Sequence, residues 1–595
     1  MSYYYPKDKY GNRIAFRIPE PFVVDNQGVN LTRKLELLRE AFDNADLPEN
    51  IPTRIYYDHT EGKVFLYSGD KIVSQTELQG IGGGVTYAPS DVYNVNISKR
   101  DSELTIRWND PSDSTYNGVT IAAWGGTKVL YKTGDFPEDE NDGTLIVDNK
   151  ERNKYSTDGI RLTGLTNNTT YYIRFFPYSL SGDVNTNIGN KYTGTPDDTV
   201  IYGFKINTND SNPESSVTYI GDAVGKRPVK MNFINNTFSW GDWDKDEFFM
   251  PKPCMLRYDG TVDYYLDPDD YTKKADGTPS NISDSTYFGN AMMEWGRDGN
   301  KIWYKVVPEN NSNSCTVYIS NKKNDNEYVA WSFYDCNNEP KDHFYTPIYN
   351  GYLIDGRLRS ISGRVPVTYK DADDEITYAV ANNNVGTNIG IHWFTEVFAD
   401  RLLINYLLVL IGKSLDTQAV FGHGYTRDKS VLQTGTMNTK GMFYGEATGE
   451  SGVKVFGMEH YWGNMRRRTA GILMSSGTFK YKLTYGRVDG SSEDGYNIAG
   501  SGYISGKSIT STGYISKMSF LANGTCFPQI ANGSSSSYYS DYIKYNTGSN
   551  YVAFGGPCDD DQLYDYDYQS GAFTISANLL PSKVDYLTGA SVSFR

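Results

Sequence analysis

The sequence predicts a mainly β protein built from several domains. Its 595 residues are too many for one hydrophobic core, and roughly three to five domains are expected. Tyrosine (50 residues) and glycine (58 residues) are abundant, which favours strands joined by many turns. Apolar and polar residues also alternate in short stretches such as 104–108, as they do in half-buried strands.

Composition and charge narrow the range of partners. The formal net charge is −15 and no basic tract is present, so neither nucleic acid nor an anionic membrane is an expected partner. The longest apolar run, 402–411, is about half a membrane span, and we expect no membrane insertion. The first residues contain no apolar core of a secretory signal peptide. The five cysteines are widely spaced without a CxxC motif, which predicts neither a zinc site nor a disulfide framework.

Residues 1–85 are predicted to form a small attachment module. Four apolar residues have helical spacing and follow a suitable cap, Asn30; they are Leu31, Leu35, Leu38 and Phe42. Two strand-like stretches, 54–57 and 64–67, flank a turn and predict a hairpin. One helix and one hairpin make a small core, which suits a module stabilised by a partner or by copies of itself.

Residues 88–197 have the length and pattern of a β-sandwich. Strands are predicted at 104–108, 118–124 and 171–176. The early-strand Trp108 and the run ending at Tyr171 resemble the core tryptophan and the tyrosine corner of fibronectin type III modules. That resemblance implies a spacer or docking unit, because such a fold does not by itself supply a function.

The remaining chain is divided into two predicted domains. Residues 198–385 are strand-rich and turn-rich and are expected to form a β-rich intermediate domain. Residues 386–595 contain the only long helix candidate, 393–412, with Gly412 as its natural end. That segment is apolar on most faces, so we expect the helix to be buried.

A tyrosine-rich stretch lies near the end of the chain, at about 540–570. In it, tyrosine is interleaved with serine, asparagine, glycine and aspartate. Antibody combining sites use a similar set of residues, because tyrosine gives a large, rigid contact area and the small polar residues give adaptable hydrogen bonds. Strand-like stretches at 572–575 and 590–594 follow it, so we predict a recognition surface on a β scaffold. The residues expected to contact a receptor are Tyr542, Lys544, Tyr545, Asn546, Asn550, Tyr551, Asp559, Asp560, Tyr564, Asp565, Tyr566 and Tyr568.

Four segments of this last domain resemble the α+β C-type-lectin-like domains of phage tail receptor-binding proteins, especially those diversified by retroelements. The segments are 455–468, which contains Trp462-Gly463-Asn464, and 482–486, 513–518 and 589–595. In that family a Trp-Gly-Asn core segment lies between the helices and a terminal β-ribbon, and the hypervariable positions precede the last strands. The resemblance therefore implies a hypervariable face at about 540–570.

The same resemblance implies an adhesin located in the virion, at the tail tip or fibre. Its expected partners are a host cell-surface protein or glycan and other phage tail or baseplate proteins, with a homotrimer as one oligomeric state. One alternative is a structural baseplate or tail protein whose tyrosine-rich end packs against a neighbouring subunit. A capsule depolymerase is the alternative from another class, because glycosidases need only two well-placed carboxylates.

No catalytic, metal or cofactor site is predicted. The string Trp108-Asn109-Asp110 matches part of a calcium-lectin motif, but its usual partner motifs are missing from the chain. The carboxylates of 242–246 alternate as in a calcium loop, but the turn glycine and the closing carboxylate are missing. The five histidines are scattered without the spacing of metal ligands. We expect no enzyme activity.

Overall fold

The computed structural model describes the backbone of three strands within 54–77 and most of the chain from residue 88 onward. The described ranges from there are 88–116, 119–309, 314–335, 337–386, 390, 392–427, 430–483, 503–558, 570–580 and 582–595. Strands far outnumber helices in these ranges, so the predicted mainly β class is confirmed. The chain divides into two compact units, Met1–Asp198 and Thr199–Arg595.

The first unit contains a three-stranded antiparallel sheet and, from residue 88, a β-sandwich. The sheet consists of β1 (Arg54–Asp58), β2 (Lys63–Ser68) and β3 (Lys71–Glu77). Strands β1 and β2 pair in antiparallel register, which confirms the predicted hairpin. The helix predicted at 31–42 lies outside the described residues.

The sandwich expected within 88–197 is present. Its strands are β4 (Tyr93–Arg100), β5 (Glu103–Asn109), β6 (Ser114–Tyr116), β7 (Val119–Ala122), β8 (Trp124–Thr133), β9 (Thr144–Asn149), β10 (Ile160–Thr163), β11 (Tyr171–Ser179) and β12 (Lys191–Gly194). One sheet has the order β10-β5-β4 and the other has the order β12-β11-β8-β9, while β6 and β7 form a hairpin. Side chains from both sheets share one hydrophobic core.

Two aromatic residues, Trp108 and Tyr171, pack in the sandwich core, as expected from the sequence. Trp108 is fully buried, with its ring centroid 5.2 Å from that of Phe175. The hydroxyl of Tyr171 accepts a hydrogen bond from the Thr166 amide at 2.9 Å, which is the contact of a tyrosine corner. The carboxylate of Asp110 accepts a 2.9 Å hydrogen bond from the Trp108 indole. Asp110, the last residue of the string that matches a calcium-lectin motif, therefore makes a contact inside the sandwich.

In its described residues the second unit, Thr199–Arg595, contains three larger sheets and three α-helices. The helices are α1 (Ala372–Val380), α2 (Phe398–Gly412) and α3 (Thr417–Phe421). The strands up to residue 400 are β13 (Ile201–Asn207), β14 (Val217–Gly221), β15 (Lys230–Asn232), β16 (Thr237–Ser239), β17 (Lys252–Arg257), β18 (Val262–Tyr265), β19 (Gly289–Trp295), β20 (Trp303–Pro308), β21 (Ser314–Ser320), β22 (Phe344–Pro347), β23 (Gly351–Ile354), β24 (Arg357–Ser360) and β25 (Trp393–Thr395). The later strands are β26 (Lys454–Val455), β27 (Met458–Glu459), β28 (Arg466–Ser475), β29 (Thr478–Tyr481), β30 (Ile504–Ser508), β31 (Gly513–Tyr514), β32 (Lys517–Phe520), β33 (Cys526–Ile530), β34 (Tyr542–Tyr545), β35 (Asn550–Gly555), β36 (Gly571–Leu579), β37 (Thr588–Gly589) and β38 (Val592–Phe594).

The predicted domains 198–385 and 386–595 share one sheet and one core. A six-stranded sheet has the order β18-β17-β19-β22-β38-β25, so the closing strand β38 pairs with a strand from each range. A four-stranded sheet has the order β14-β13-β21-β20. The largest sheet has the order β30-β29-β28-β35-β36-β34-β31, with β37 beside β28. The separation expected at residue 385 is therefore not seen.

Helix α2 lies at the centre of the second unit, and every one of its 15 residues is buried. It begins at Phe398, later than the predicted 393, because the preceding residues form β25. Gly412 is its last residue, as predicted, and Lys413 follows in the left-handed conformation with φ 49°. Within the described ranges, no helix is long and apolar enough to cross a membrane.

The polar residues of α2 have partners, as buried polar groups require. The Asn405 amide donates to the Ala572 carbonyl of β36 at 2.8 Å and its oxygen accepts from Tyr461 at 3.1 Å. Arg401 stacks on the Tyr461 ring, with its guanidinium carbon 3.7 Å from the ring centroid. Asp400 accepts a hydrogen bond from the buried Arg595 guanidinium.

We expect the variant Arg595→Met to lower the free energy of unfolding of the second unit by about 3–5 kcal/mol, because it leaves the buried Asp400 carboxylate without a counter-charge. Urea unfolding followed by tryptophan fluorescence measures this loss. The double variant Asp400→Asn with Arg595→Met is expected to recover part of it.

The control is Arg257→Met, which breaks an exposed ion pair with Asp263 and is expected to change stability by less than about 1 kcal/mol. An equally small effect of Arg595→Met would show that the buried ion pair does not stabilise the unit.

Candidate recognition surface

Strand β34 carries the first predicted receptor-contacting residues near one edge of the largest sheet. It pairs in parallel with β36 and antiparallel with the short β31. Successive side chains of a strand point to opposite faces. Accordingly Ile543 is buried in the core, whereas Tyr542 is half-buried and Lys544 is exposed. The outer face of β34 is therefore formed by a tyrosine and a lysine, whose contact with a receptor stays a prediction.

Neighbouring residues extend this outer face. The ring of Tyr514, on β31, meets the ring of Tyr542 edge-to-face with centroids 5.2 Å apart. Asn546 is exposed, and its amide donates to the Asn578 carbonyl at 3.3 Å. Tyr545 lies on the same side of β34 as Ile543 and packs against the core, so it does not share the outer face as predicted. We name the described surface formed by Tyr514, Tyr542, Lys544 and Asn546 the recognition face.

Sequence reasoning missed Tyr514. It lies in the stretch 513–518, outside the tyrosine-rich stretch 540–570, and no local pattern distinguishes it from a core tyrosine. Only the pairing of Gly513 with Ile543 in the sheet brings its ring to the recognition face.

The prediction of an outward-facing side chain is wrong for Asn550 and Tyr551, which are each 2% exposed. Both begin β35, which lies between β28 and β36 and is buried along its whole length. The Asn550 amide donates to the Gly548 carbonyl at 2.7 Å, so its polar group closes the preceding turn. The ring of Tyr551 lies 5.4 Å from the Arg468 guanidinium.

Six further predicted contact residues lie outside the described residues and stay predictions: Asp559, Asp560, Tyr564, Asp565, Tyr566 and Tyr568. The described residues on either side of them are anchored to the core. The Cys558 amide donates to the Asn464 carbonyl at 3.0 Å, and the Ser570 hydroxyl donates to the His423 carbonyl.

A buried carboxyl group fixes β34 to β36. Asp541, immediately before β34, accepts hydrogen bonds from the Phe573 amide at 2.8 Å and from the Gln418 side chain at 3.3 Å. Burial raises the pKa of Asp541 well above its usual range. A Cβ atom at Gly571 would lie 1.7 Å from this carboxylate, so glycine is required there. The strand beneath the recognition face is thus held by side-chain contacts as well as by the sheet ladder.

The Trp-Gly-Asn segment supports the far end of β35. Trp462 is fully buried and its indole donates to the Gly422 carbonyl at 3.0 Å. Gly463 has φ 73° and its amide donates to the Gly555 carbonyl at 2.7 Å. The Asn464 side-chain oxygen accepts from the Leu432 amide at 2.7 Å. These residues are therefore core residues.

Arg468 joins two surface loops to the core. Its Nε donates to the buried Glu375 carboxylate at 2.7 Å. Its Nη2 donates to the carbonyl of Lys370 at 3.2 Å and to that of Lys583 at 3.3 Å. Because this guanidinium also lies over Tyr551, it sets the position of both loops relative to β35.

The carboxylates around an interior cavity are engaged in ion pairs. The cavity is lined by residues that include Glu396, Asp400 and Arg401. Glu396 pairs with Arg467 at 3.0 Å, and Asp400 pairs with Arg595. Among the described residues, no group of three or more histidine, cysteine, aspartate or glutamate side chains could hold a metal ion.

Comparison of the sequence with protein-family models and with curated proteins finds no match. The resemblances to fibronectin type III modules and to phage lectin-like domains therefore stay predictions.

Replacement of Tyr551 or Tyr542 by alanine is expected to lower the unfolding free energy by different amounts, because the first residue is in the core and the second is on the outer face. Tyr551→Ala removes a buried ring and is expected to cost about 3–5 kcal/mol of unfolding free energy. Tyr542→Ala acts at the surface and is expected to cost less than about 1 kcal/mol. Urea unfolding of both variants measures the difference, and equal losses would contradict the assignment of Tyr542 to an outer face.

The Glu375–Arg468 pair predicts a pH dependence of stability. Burial, opposed by Arg468, raises the pKa of Glu375 from 4.5 to about 7. The folded chain therefore holds this proton more tightly than the unfolded chain, and the stability it contributes at low pH is lost as the pH rises from about 4.5 to about 7. Relative to Glu375→Gln, wild type is expected to lose roughly 2–4 kcal/mol over that window.

Urea unfolding at several pH values between 4 and 8 measures this difference. The control is Glu450→Gln, at an exposed carboxylate, for which the difference from wild type is expected to be flat. A flat difference for Glu375→Gln as well would contradict the raised pKa.

Proposed function

We propose that this chain is a phage tail-tip or fibre adhesin that binds a receptor on the surface of a bacterial host through the recognition face. The proposal is based on one observation, the difference in burial between side chains of the segment 542–551. Ile543 and Tyr551 are buried, whereas Tyr542, Lys544 and Asn546 lie on the outside. Outward tyrosine, lysine and asparagine side chains on a buried sheet suit recognition of a partner.

The scaffold beneath the face favours rigid presentation. Strand β34 is tied to β36 through Asp541, and β36 is tied to α2 through Asn405. Because the backbone is fixed from within, outer side chains can change with little effect on folding. Tyrosine rings ordered before binding lose little conformational freedom when a receptor docks, which makes them effective anchors.

The rest of the chain fits an adhesin that acts in several copies on one particle. In this proposal residues 1–85 attach the chain to tail or baseplate proteins or to sister subunits, and the sandwich serves as a spacer. Several weak contacts made together bind far more tightly than one contact, provided that the linkage allows them to engage at the same time. The location is then the virion tail tip or fibre.

Binding of the fluorescently labelled full chain to whole cells tests the proposal. The cells are those of the bacterial strain on which the phage that carries this gene grows. Tyr542→Ala and Lys544→Ala are each expected to weaken binding by about fivefold or more, with unchanged melting temperatures. The matched control is Tyr93→Ala, at an exposed tyrosine of the sandwich, which is expected to bind like wild type.

Wild-type binding by both face variants would contradict the proposal. A structural tail protein would give a different result: phage particles that carry Tyr542→Ala would fail to assemble, whereas the adhesin predicts intact particles that adsorb poorly.

A further inference from the structure

The interior cavity of the second unit is small and polar. Helix α2 contributes Asp400 and Arg401 to its wall. Glu396, just after β25, and Ser593, on β38, line it from two other elements. A water molecule's centre has about 10 Å³ of space there. One bound water needs about 10–15 Å³ on the same scale, so the cavity has room for a single small molecule or ion.

Four of the residues in this wall carry a buried side-chain polar atom that has no hydrogen-bond partner among the described residues. Two of these atoms are carboxylate oxygens, one is a guanidinium nitrogen and one is a hydroxyl oxygen. They are Glu396 Oε2, Asp400 Oδ2, Arg401 Nε and Ser593 Oγ.

The other oxygen of each carboxylate is already engaged. Oε1 of Glu396 pairs with Arg467 at 3.0 Å. Oδ1 of Asp400 accepts a hydrogen bond from the Arg595 guanidinium. Turning either carboxylate to find a partner for its second oxygen would disturb an existing ion pair. The unpartnered atoms are therefore held in place by the contacts of their own side chains.

A wall of this composition favours a bound polar molecule. Polar atoms that lose water on folding and gain no bond in return destabilise the native state, and native proteins contain few of them. Cavities that stay dry are lined by apolar groups, whereas buried waters bond to polar groups that otherwise have no partner.

The chemistry of the four atoms decides which small molecule fits. The two carboxylate oxygens only accept hydrogen bonds, Nε of Arg401 only donates, and the hydroxyl of Ser593 does either. A bound cation would satisfy the carboxylates but would face the guanidinium, and a bound anion would have the opposite conflict. A water molecule has two hydrogens for the two carboxylates and two lone pairs for the two remaining groups.

We propose that the cavity binds one structural water molecule, which donates to Glu396 and Asp400 and accepts from Arg401 and Ser593. This water connects α2 to the closing strand β38 and to the residue that follows β25. It therefore adds a second link between the helix and the six-stranded sheet, beside the ion pair of Asp400 with Arg595. The inference concerns the core of the unit and is independent of the proposed function.

A high-resolution crystal structure of the full chain tests the proposal. One density peak is expected in the cavity, within hydrogen-bond distance of all four unpartnered atoms. Crystals soaked in bromide or in rubidium are expected to show no anomalous signal at that place. Signal from either ion would overturn the water and indicate an anion or a cation. A cavity without density, with Asp400 bonded to the buried Ser332 hydroxyl near it, would also overturn the proposal.

The variant Ser593→Ala tests the same site in solution. It leaves the water with three partners, so the unfolding equilibrium constant at a fixed urea concentration is expected to rise about fivefold. The matched control is Thr588→Val, which also removes a fully buried hydroxyl with no partner among the described residues but lies outside the cavity wall.

The control is expected to leave the unfolding constant unchanged or to lower it, because a buried hydroxyl without a hydrogen bond does not stabilise the folded chain. If Ser593→Ala raises the unfolding constant no more than Thr588→Val does, the hydroxyl of Ser593 binds nothing and the proposal is rejected.

Discussion

The complete burial of α2 is the constraint on which the second unit depends. A helix with apolar residues on most faces can be soluble only if other elements cover it on every side, and here they do. Its polar residues then become cross-links, because each must find a partner inside the protein. Asn405 connects the helix to β36, and Asp400 connects it to Arg595 beyond β38. The same burial that stabilises the core thus fixes the strands that carry the surface.

Pairings between distant parts of the chain decide what was predictable from the sequence. The hairpin β1–β2, the core position of Trp108 and the end of α2 at Gly412 follow from local patterns, and the structure contains all three. The division at residue 385 does not follow, because β38 pairs with β22 and β25 across the predicted boundary. No local pattern reveals which distant strand a three-residue segment will join.

The recognition surface was predictable only in part, for a related reason. Lys544 and Tyr551 lie in one polar, tyrosine-rich stretch, and composition alone assigns both to a surface. The structure separates them because β35 is a central strand while β34 is near a sheet edge. A central strand with both faces covered requires burial of each residue, whatever its type. The guanidinium that accommodates Tyr551 belongs to Arg468, which is remote in sequence and has no local signal.

Tyrosine serves two opposite purposes in this chain, and burial separates them. In the core its hydroxyl must be satisfied within the protein, as when Tyr406 donates to the Gly524 carbonyl at 3.1 Å. At the recognition face the same side chain leaves a flat apolar ring with a polar tip partly exposed. A substitution at Tyr406 or Tyr551 is therefore expected to act on folding, whereas one at Tyr542 is proposed to act on recognition. Which tyrosines lie at the surface is set by their place in the sheet and not by their residue type.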